Sequence, residues 1–301
     1  SKVDRSHLIE IKREEQPRLF SLIDDLTEKI GTPFPEKVYL SSDVTAAVFF
    51  NSSFWSMFFP AKKSLQIGMG LINTTTEGEL KAIIAHELGH FSQKSMKVGS
   101  YVYNLNHIVF NMLYDNDSYD ESARRWADTS GYFALFVIVS LGITKSIQWV
   151  LRLLYDYLNK SYMALSREME FHADQVAAQI TGFEPLKTSL LRFDIAESAF
   201  NDVLSFYDGK VVEAIRSKNI YPEHTFLLDF ISKRNDIHTE NNLPVIEIED
   251  LNKYNSSKLN IEDQWASHPS VEQRIENLKN GERIVGEERN NPASELFDNL
   301  N

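Results

Sequence analysis

The sequence contains no cysteine, which excludes both disulfide bonds and thiolate metal sites. Any metal must therefore be bound by histidine, aspartate or glutamate. Basic residues are also scarce, since 31 lysines and arginines stand against 43 acidic residues and give a net charge of -12. A nucleic-acid surface needs clustered lysine and arginine, so we expect no nucleic-acid partner. The lack of cysteine also fits a reducing compartment.

The 301 residues have the composition of a globular protein, with 43% hydrophobic and 12% aromatic residues. A chain of this length can bury a sizeable core, and we expect a single domain over residues 1–301. The first residue is Ser1, and a charged segment follows it rather than a signal peptide. We therefore treat a soluble fragment of a longer protein as one possibility.

The pattern of apolar residues predicts a small sheet followed by helices. An amphipathic helix is predicted over 6–30, and runs rich in valine, tyrosine and phenylalanine predict a small sheet over 38–71. The predicted strands are Lys37–Leu40, Ala46–Phe50 and Ser64–Gly68. Thr76 and Glu79 match a capping box, which predicts a helix over 74–95.

The remainder of the chain is predominantly helical in pattern, so the fold class is α+β. We divide it into an apolar helical insertion at 97–158, a helix at 161–181 and a helical C-terminal part at 183–301. Candidate helices within these parts lie at 97–114, 121–158, 161–181, 186–207, 222–234 and 269–280. Residues 235–242 and 252–260 are predicted loops, and the tail from Gly281 is weakly patterned.

The segment His86-Glu87-Leu88-Gly89-His90 is an H-E-x-x-H motif inside the helix predicted at 74–95. Two histidines four residues apart stand on one face of a helix, where both can bind one metal ion. Glu87 lies beside that face, where a carboxylate can take a proton from a metal-bound water. The motif is short enough to occur by chance, so a third ligand has to decide its meaning.

Candidates for the third ligand lie in the segment 166–174, which has the sequence SREMEFHAD. Glu170 and Asp174 share one helical face, and their neighbours are apolar, so unpaired carboxylates there would be costly. One of the two can bind the metal while the other accepts a hydrogen bond from a ligand histidine. The alternative is that either residue is an ordinary surface charge.

The apolar segment Tyr132–Ile143 is too short to span a membrane alone, because a spanning helix needs about twenty mainly apolar residues. Lys145, Arg152 and Asp156 interrupt the residues that follow. A buried core helix is one interpretation of this segment. The other is a helix that contacts a membrane, through residues 132–158.

The two motifs together resemble the HtpX-type and CAAX-prenyl-protease-type zinc metallopeptidases. In that family the second glutamate of the run S-R-x-x-E-[FY]-x-A-D is the third zinc ligand. The aspartate that ends the run is expected behind the ligands, where it orients one of them without binding the metal. The resemblance thus implies one zinc ion per chain, held by His86, His90 and Glu170, with Asp174 behind them. It also implies a zincin-like (gluzincin) fold and a membrane-linked protein, with its catalytic domain on the cytoplasmic side.

The segment 267–275 (SHPSVEQRI) is similar to a further family element, a His-Pro pair before a helix with Arg-Ile. His268 can donate a hydrogen bond to the oxyanion of the intermediate, or it can simply cap the helix before Pro269. Arg274 can neutralise either Asp174 or Glu170. The remaining histidines have no motif context, and we expect them to be hydrogen-bonded in the core or exposed.

The run 64–71 precedes the active-site helix and is predicted as an edge strand that receives an extended polypeptide substrate. Gly68, Met69 and Gly70 are the expected contacts, although the glycines can also mark the end of a strand.

The function predicted from these features is a zinc-dependent endopeptidase in membrane-linked protein quality control or processing, with Glu87 as the general base. The CAAX-processing version is less favoured, because these apolar runs do not build a membrane-enclosed chamber. One alternative is a metal-binding scaffold of the same fold with weak turnover. The other is a helical structural protein in which H-E-x-x-H is accidental.

Overall fold

The computed structural model describes residues 8–50, 63–92, 105, 108–111, 113, 131–250, 269–279 and 289–298. The chain divides into two compact units. The first combines residues 1–93, 169–262 and 269–301, and the second combines residues 94–168 and 263–268. The second unit thus falls close to the predicted insertion at 97–158. A single domain over 1–301 stays a prediction.

The elements of the described residues follow one another in a strand-rich first part and a helical second part. In chain order they are β1 (Ile9–Ile11), α1 (Pro17–Ile30), β2 (Lys37–Ser41), β3 (Ala46–Phe50), β4 (Lys63–Gly68), α2 (Met69–Asn73), α3 (Glu77–Ser92), α4 (Gly131–Thr181), α5 (Phe183–Asp208), α6 (Ile220–Arg234), β5 (Thr239–Glu240), β6 (Leu243–Pro244) and α7 (Val271–Lys279). Short 3-10 helices lie at Val211–Glu213 and Ala293–Leu296. This composition confirms the α+β class.

The first four strands form one sheet in the order β1-β2-β4-β3. Strand β4 pairs in parallel with β2 and antiparallel with β3, so it is a central strand. Its residues Leu65 and Ile67 are fully buried in the core. The prediction that the run 64–71 is an edge strand is therefore wrong. Among the residues that the structure describes, β3 is the edge strand on this side of the sheet.

The predicted helix over 6–30 is shorter than expected, because its first part is strand β1. Residues Ile9–Ile11 pair antiparallel with β2. A run of three residues is too short for its apolar pattern to predict a strand. Helix α1 begins at Pro17, whose fixed φ favours the first helical position and whose missing N–H costs nothing there. It ends before Gly31, which has a positive φ of 72°.

Helix α4 is one continuous helix where two were predicted, at 121–158 and 161–181. No glycine or proline occurs between Ile143 and Thr181, so nothing in the backbone ends the helix near residue 160. Gly182, with φ of 95°, stops it. Within the described residues, no helix contains an apolar stretch long enough to cross a membrane.

Helix α3 lies against the sheet and is held at its N-terminus by several groups. The capping box is confirmed: Thr76 N–H donates to Glu79 Oε2 at 2.9 Å, and Glu79 N–H donates to Thr76 Oγ1 at 3.2 Å. Glu79 is also paired with buried Arg192 of α5. The start of α3 is thereby fixed, N-terminal to His86.

The weakly patterned tail contributes to the same place. The N–H groups of Glu77 and Gly78 donate to the carbonyls of Asn291 and Arg289 at 2.7 and 3.1 Å. The first N–H groups of a helix have no hydrogen-bond partner within the helix. The carbonyls of Asn291 and Arg289 supply partners for two of these groups in α3. Ala293, Leu296 and Phe297 are buried in the same core.

Candidate metal centre

The two histidines of the motif project from one face of α3 and meet at their ring nitrogens. His86 Nε2 lies 3.2 Å from His90 Nε2, and the rings are nearly perpendicular with centroids 4.8 Å apart. Their i, i+4 spacing along the helix produces this arrangement.

Helix α4 supplies the third group. Glu170 Oε2 lies 3.4 Å from His86 Nε2, and Glu170 Oε1 lies 3.7 Å from His90 Nε2. Ligand atoms about 2.0–2.2 Å from a tetrahedral ion are about 3.3–3.6 Å from one another. The three side chains therefore have the spacing that one tetrahedral metal ion requires, and they form a group that can hold a metal.

Gly89 lets α3 and α4 approach closely enough for this geometry. A Cβ at this position would lie 3.3 Å from Ala173 Cα and 3.5 Å from Val176 Cβ. Ala173 comes three residues after Glu170, so this close approach of the two helices lies within one turn of the third candidate ligand. Glycine at the fourth motif position thus sets the separation of the helices that carry the ligands.

Behind the three candidate ligands, Asp174 is fully buried and connects His86 to α7. Its Oδ1 lies 2.9 Å from His86 Nδ1, and Arg274 donates to both of its oxygens, from Nε at 2.8 Å and from Nη2 at 2.5 Å. An Nδ1–H donated to Asp174 leaves His86 Nε2 free to bind a metal. Arg274 Nη2 is 3.9 Å from Glu170 Oε2, so Asp174 rather than Glu170 is its hydrogen-bonded partner.

The surroundings of the two histidines shift their pKa values in opposite directions. Burial lowers the pKa of His86, but its hydrogen bonds to Asp174 and Glu170 outweigh burial and raise the pKa to about 9. Burial and the charge of His86 lower the pKa of His90 to about 4. Burial raises the pKa of Asp174, but hydrogen bonds from Arg274 and His86 outweigh it, so the net pKa is lowered.

Glu87 lies beside the histidines, next to the edge strand β3. The backbone N–H of Val48 donates to Glu87 Oε2 at 3.2 Å. Burial is the largest influence on this carboxyl group and raises its pKa to about 7, with the bond from Val48 acting in the opposite direction. A carboxylate with a pKa near neutrality can both accept and return a proton at physiological pH.

Gly68 and Gly70 lie close to the residues between β2 and β3. A Cβ at Gly68 would lie 2.2 Å from Asp43 O, and a Cβ at Gly70 would lie 2.8 Å from Val44 Cγ2. Both glycines therefore admit the turn between β2 and β3, and Met69 begins helix α2. No signal in the sequence indicated that Val48 would lie beside Glu87. Substrate contact at Gly68, Met69 and Gly70 stays a prediction. His268 lies outside the described residues.

Comparison with known proteins agrees with this site. Residues 13–282 match the family model described as peptidase family M48. The chain belongs to peptidase family M48. This M48 chain is 26% identical over 258 residues to a protein of Sulfurihydrogenibium sp. (strain YO3AOP1) named "Protease HtpX homolog", a match that covers 80% of the chain and 76% of that protein.

Two further relatives of the M48 chain have the same name. The chain is 22% identical to a protein of Campylobacter curvus (strain 525.92) over 91% of its own length and 78% of the relative. It is 26% identical to a protein of Tropheryma whipplei (strain TW08/27) over 60% of the chain and only 57% of the relative. No solved structure matches the chain significantly. The chain is therefore a metalloprotease of the HtpX type, with a histidine-histidine-glutamate group that can hold its metal.

Proposed function

We propose that this M48 chain is a zinc-dependent endopeptidase in which His86, His90 and Glu170 hold one zinc ion. The observation that supports it best is the convergence of these three side chains from α3 and α4, with Glu87 beside them. Nitrogen and carboxylate oxygen are the donors of catalytic zinc sites, and three protein ligands leave a fourth position open. The backing of His86 by Asp174 is the arrangement typical of zinc-bound histidine, in a gluzincin-type site.

Zinc, when bound, supplies Lewis acidity that acidifies water and polarises a carbonyl group. The protein supplies the proton transfers. Glu87 accepts a proton from the attacking water and passes it to the leaving amine, and its raised pKa suits both steps. Arg274 and Asp174 keep the ring of His86 in one orientation and one tautomer. His268 is proposed as the donor to the oxyanion.

The substrate is proposed to bind as an extended strand along β3. This strand is at the edge of the described sheet, and its residue Val48 contacts Glu87 directly. Backbone pairing to an edge strand provides affinity for a polypeptide with little dependence on its sequence. The site then suits an endopeptidase, because both ends of an extended substrate can continue past the metal.

The direct test of this function is Glu87→Gln. The carboxamide is nearly the same size but cannot take a proton, so we expect peptide cleavage to fall by about 10²–10⁴-fold while zinc stays bound at one per chain. Cleavage of an unbiased peptide pool and metal analysis measure the two quantities. Full activity in Glu87→Gln would refute the mechanism. Stoichiometric zinc without any cleavage by the unmodified protein would favour the scaffold alternative.

We further propose that the enzyme contacts a membrane through residues 132–158, with its catalytic part on the cytoplasmic side, in protein quality control or processing. The support is an unusual number of exposed apolar side chains in this part of α4, namely Val139, Ile143, Ile147, Trp149, Val150, Leu153, Leu154 and Tyr157. Lys145 and Arg152 provide positive charge among them, beside the single negative charge of Asp156. An amphipathic surface of this composition suits the boundary between lipid headgroups and acyl chains.

A further inference from the structure

The pairing of β3 with β4 determines which backbone groups of β3 face outward. Residues of an antiparallel pair alternate between hydrogen-bonded and non-hydrogen-bonded positions. Thr45 O accepts from Gly68 N–H at 2.7 Å, so the pair 45/68 is hydrogen-bonded, and so is 47/66 two residues further on. Val48, which is opposite Leu65, is at a non-hydrogen-bonded position. Its N–H therefore points away from β4.

The outward N–H of Val48 meets the carboxylate of Glu87. Its donor–acceptor distance to Oε2 is 3.2 Å, and the bond joins two elements, since Glu87 is on α3 and Val48 on β3. A glutamate side chain has three rotatable bonds, so its position in the helix does not fix where its oxygens lie. A hydrogen bond at Oε2 restricts that freedom and leaves Oε1 for a water molecule.

We propose that the backbone amide of Val48 is a positioning group that holds Glu87 in place for proton transfer. Its catalytic consequence rests on the proposed endopeptidase function, but the hydrogen bond itself does not. The amide acts through Glu87 and not on the substrate. It also ties the base to the strand along which the substrate is proposed to lie, so that a shift of β3 moves the base with it.

Amide hydrogen exchange in the metal-free protein tests the bond without any assay of activity. We expect the Val48 amide to exchange about tenfold faster, or more, in Glu87→Ala than in the unmodified protein, because the variant removes the acceptor. The amide of Ala46, which also faces outward, is the internal reference and should exchange equally in both proteins. An unchanged Val48 rate in Glu87→Ala would overturn the proposal.

Kinetics of Val48→Pro test the consequence. Proline removes the N–H, and at an outward-facing edge position it removes no hydrogen bond of the β3–β4 ladder. We expect kcat to fall about tenfold or more, with KM and zinc content nearly unchanged. Ala47→Pro is the matched control, because it removes an N–H that faces β4 and should lower the melting temperature much more than Val48→Pro does.

Two results of this kinetic experiment would contradict the proposal. A rise in KM with unchanged kcat would mean that the amide binds substrate instead of Glu87. An unchanged kcat and KM would mean that Glu87 needs no positioning from β3. If the unmodified protein cleaves no peptide, the endopeptidase function fails, and the exchange measurement still decides whether Val48 holds Glu87.

Discussion

A single imidazole, that of His86, is both a hydrogen-bonded base and a candidate metal ligand. Its hydrogen bonds to Asp174 and Glu170 favour the protonated ring, with a pKa of about 9. A metal can use only the deprotonated nitrogen. The carboxylates around the ring therefore also favour its protonated form, so that a proton competes with a metal ion for His86.

This competition predicts proton release when zinc binds. At pH 7 His86 is protonated and His90, with a pKa of about 4, is neutral, so binding should release about one proton, from His86. Because protonation opposes binding, zinc affinity should rise with pH, about tenfold per unit, until the pH reaches the pKa of His86. Calorimetry in buffers of different ionisation enthalpy measures the released proton. Affinity that does not change between pH 7 and 8.5 would contradict the prediction.

Also at the scale of one residue, Gly89 controls the separation of two helices. We expect Gly89→Ala to destabilise the protein by about 1–3 kcal/mol, because the added methyl group meets the backbone of Ala173. Zinc affinity should fall as well, since Glu170 is on the displaced helix. Thermal unfolding and metal titration measure both effects.

Gly142 provides the matched control for Gly89→Ala. It is also inside a helix, but among the described residues a Cβ there meets no atom within 4 Å beyond its own helix backbone. Gly142→Ala should therefore stabilise the helix, by about 0.5–1 kcal/mol. Equal effects of the two substitutions would mean that helix propensity, and not the approach of α3 to α4, decides the outcome.

At the scale of elements, α3 depends on a buried ion pair at its first turn. Arg192 donates to Glu79, to Pro244 O at 2.8 Å and to Thr74 O at 3.4 Å. We expect Arg192→Met to cost about 3–5 kcal/mol, because it leaves the charge of Glu79 buried without its partner. Denaturant unfolding measures this change.

A solvent-exposed pair and a double substitution are the controls for Arg192→Met. Lys233 and Asp229 of α6 are 2.7 Å apart, with Lys233 largely and Asp229 partly exposed, so Lys233→Met should cost less than about 0.5 kcal/mol. Adding Glu79→Gln to Arg192→Met should recover part of the lost stability, because it removes the buried charge. A further loss of the same size would show that the two residues act independently.

Elements also show where the sequence was informative. The capping box at Thr76 and Glu79 and the i, i+4 histidines are local patterns, and local patterns determine helix starts and faces. The edge position of β3 was missed, because strand order depends on pairing between distant residues. The break expected near residue 160 was wrong, since a change in hydrophobicity does not end a helix that has no glycine or proline there.

At the scale of the whole molecule, the site combines residues that are far apart in the chain. Glu170 could be proposed as third ligand only through the resemblance, because the residues alone left Glu170 and Asp174 as equivalent carboxylates of one helical face. The structure distinguishes them: Glu170 faces the Nε2 atoms of both histidines, whereas Asp174 contacts Nδ1 of His86. Which carboxylate approaches the metal depends on helix packing, which the sequence pattern does not encode.

The proposed membrane contact concerns the whole molecule, and vesicle flotation tests it. We expect the protein to bind vesicles of phosphatidylcholine and phosphatidylglycerol, and Trp149→Gln combined with Leu153→Gln to reduce binding about tenfold or more, since both side chains are exposed and apolar. Phe226→Gln with Phe230→Gln is the control, because these residues are equally apolar and exposed on α6. Equal losses in both double variants would refute contact through residues 132–158.

The carbonyls that complete the start of α3 have a consequence for the newly made protein. Arg289 and Glu77 are 212 residues apart in sequence, and Arg289 also forms an ion pair with Glu77 at 2.5 Å. A ribosome adding about 5–20 residues per second needs on the order of 10–40 s to cross that distance. Until then the N–H groups of Glu77 and Gly78 lack the carbonyl partners that Asn291 and Arg289 provide. The hydrogen bonds that complete the N-terminus of α3 therefore form only after helices α4 to α7 have been synthesised.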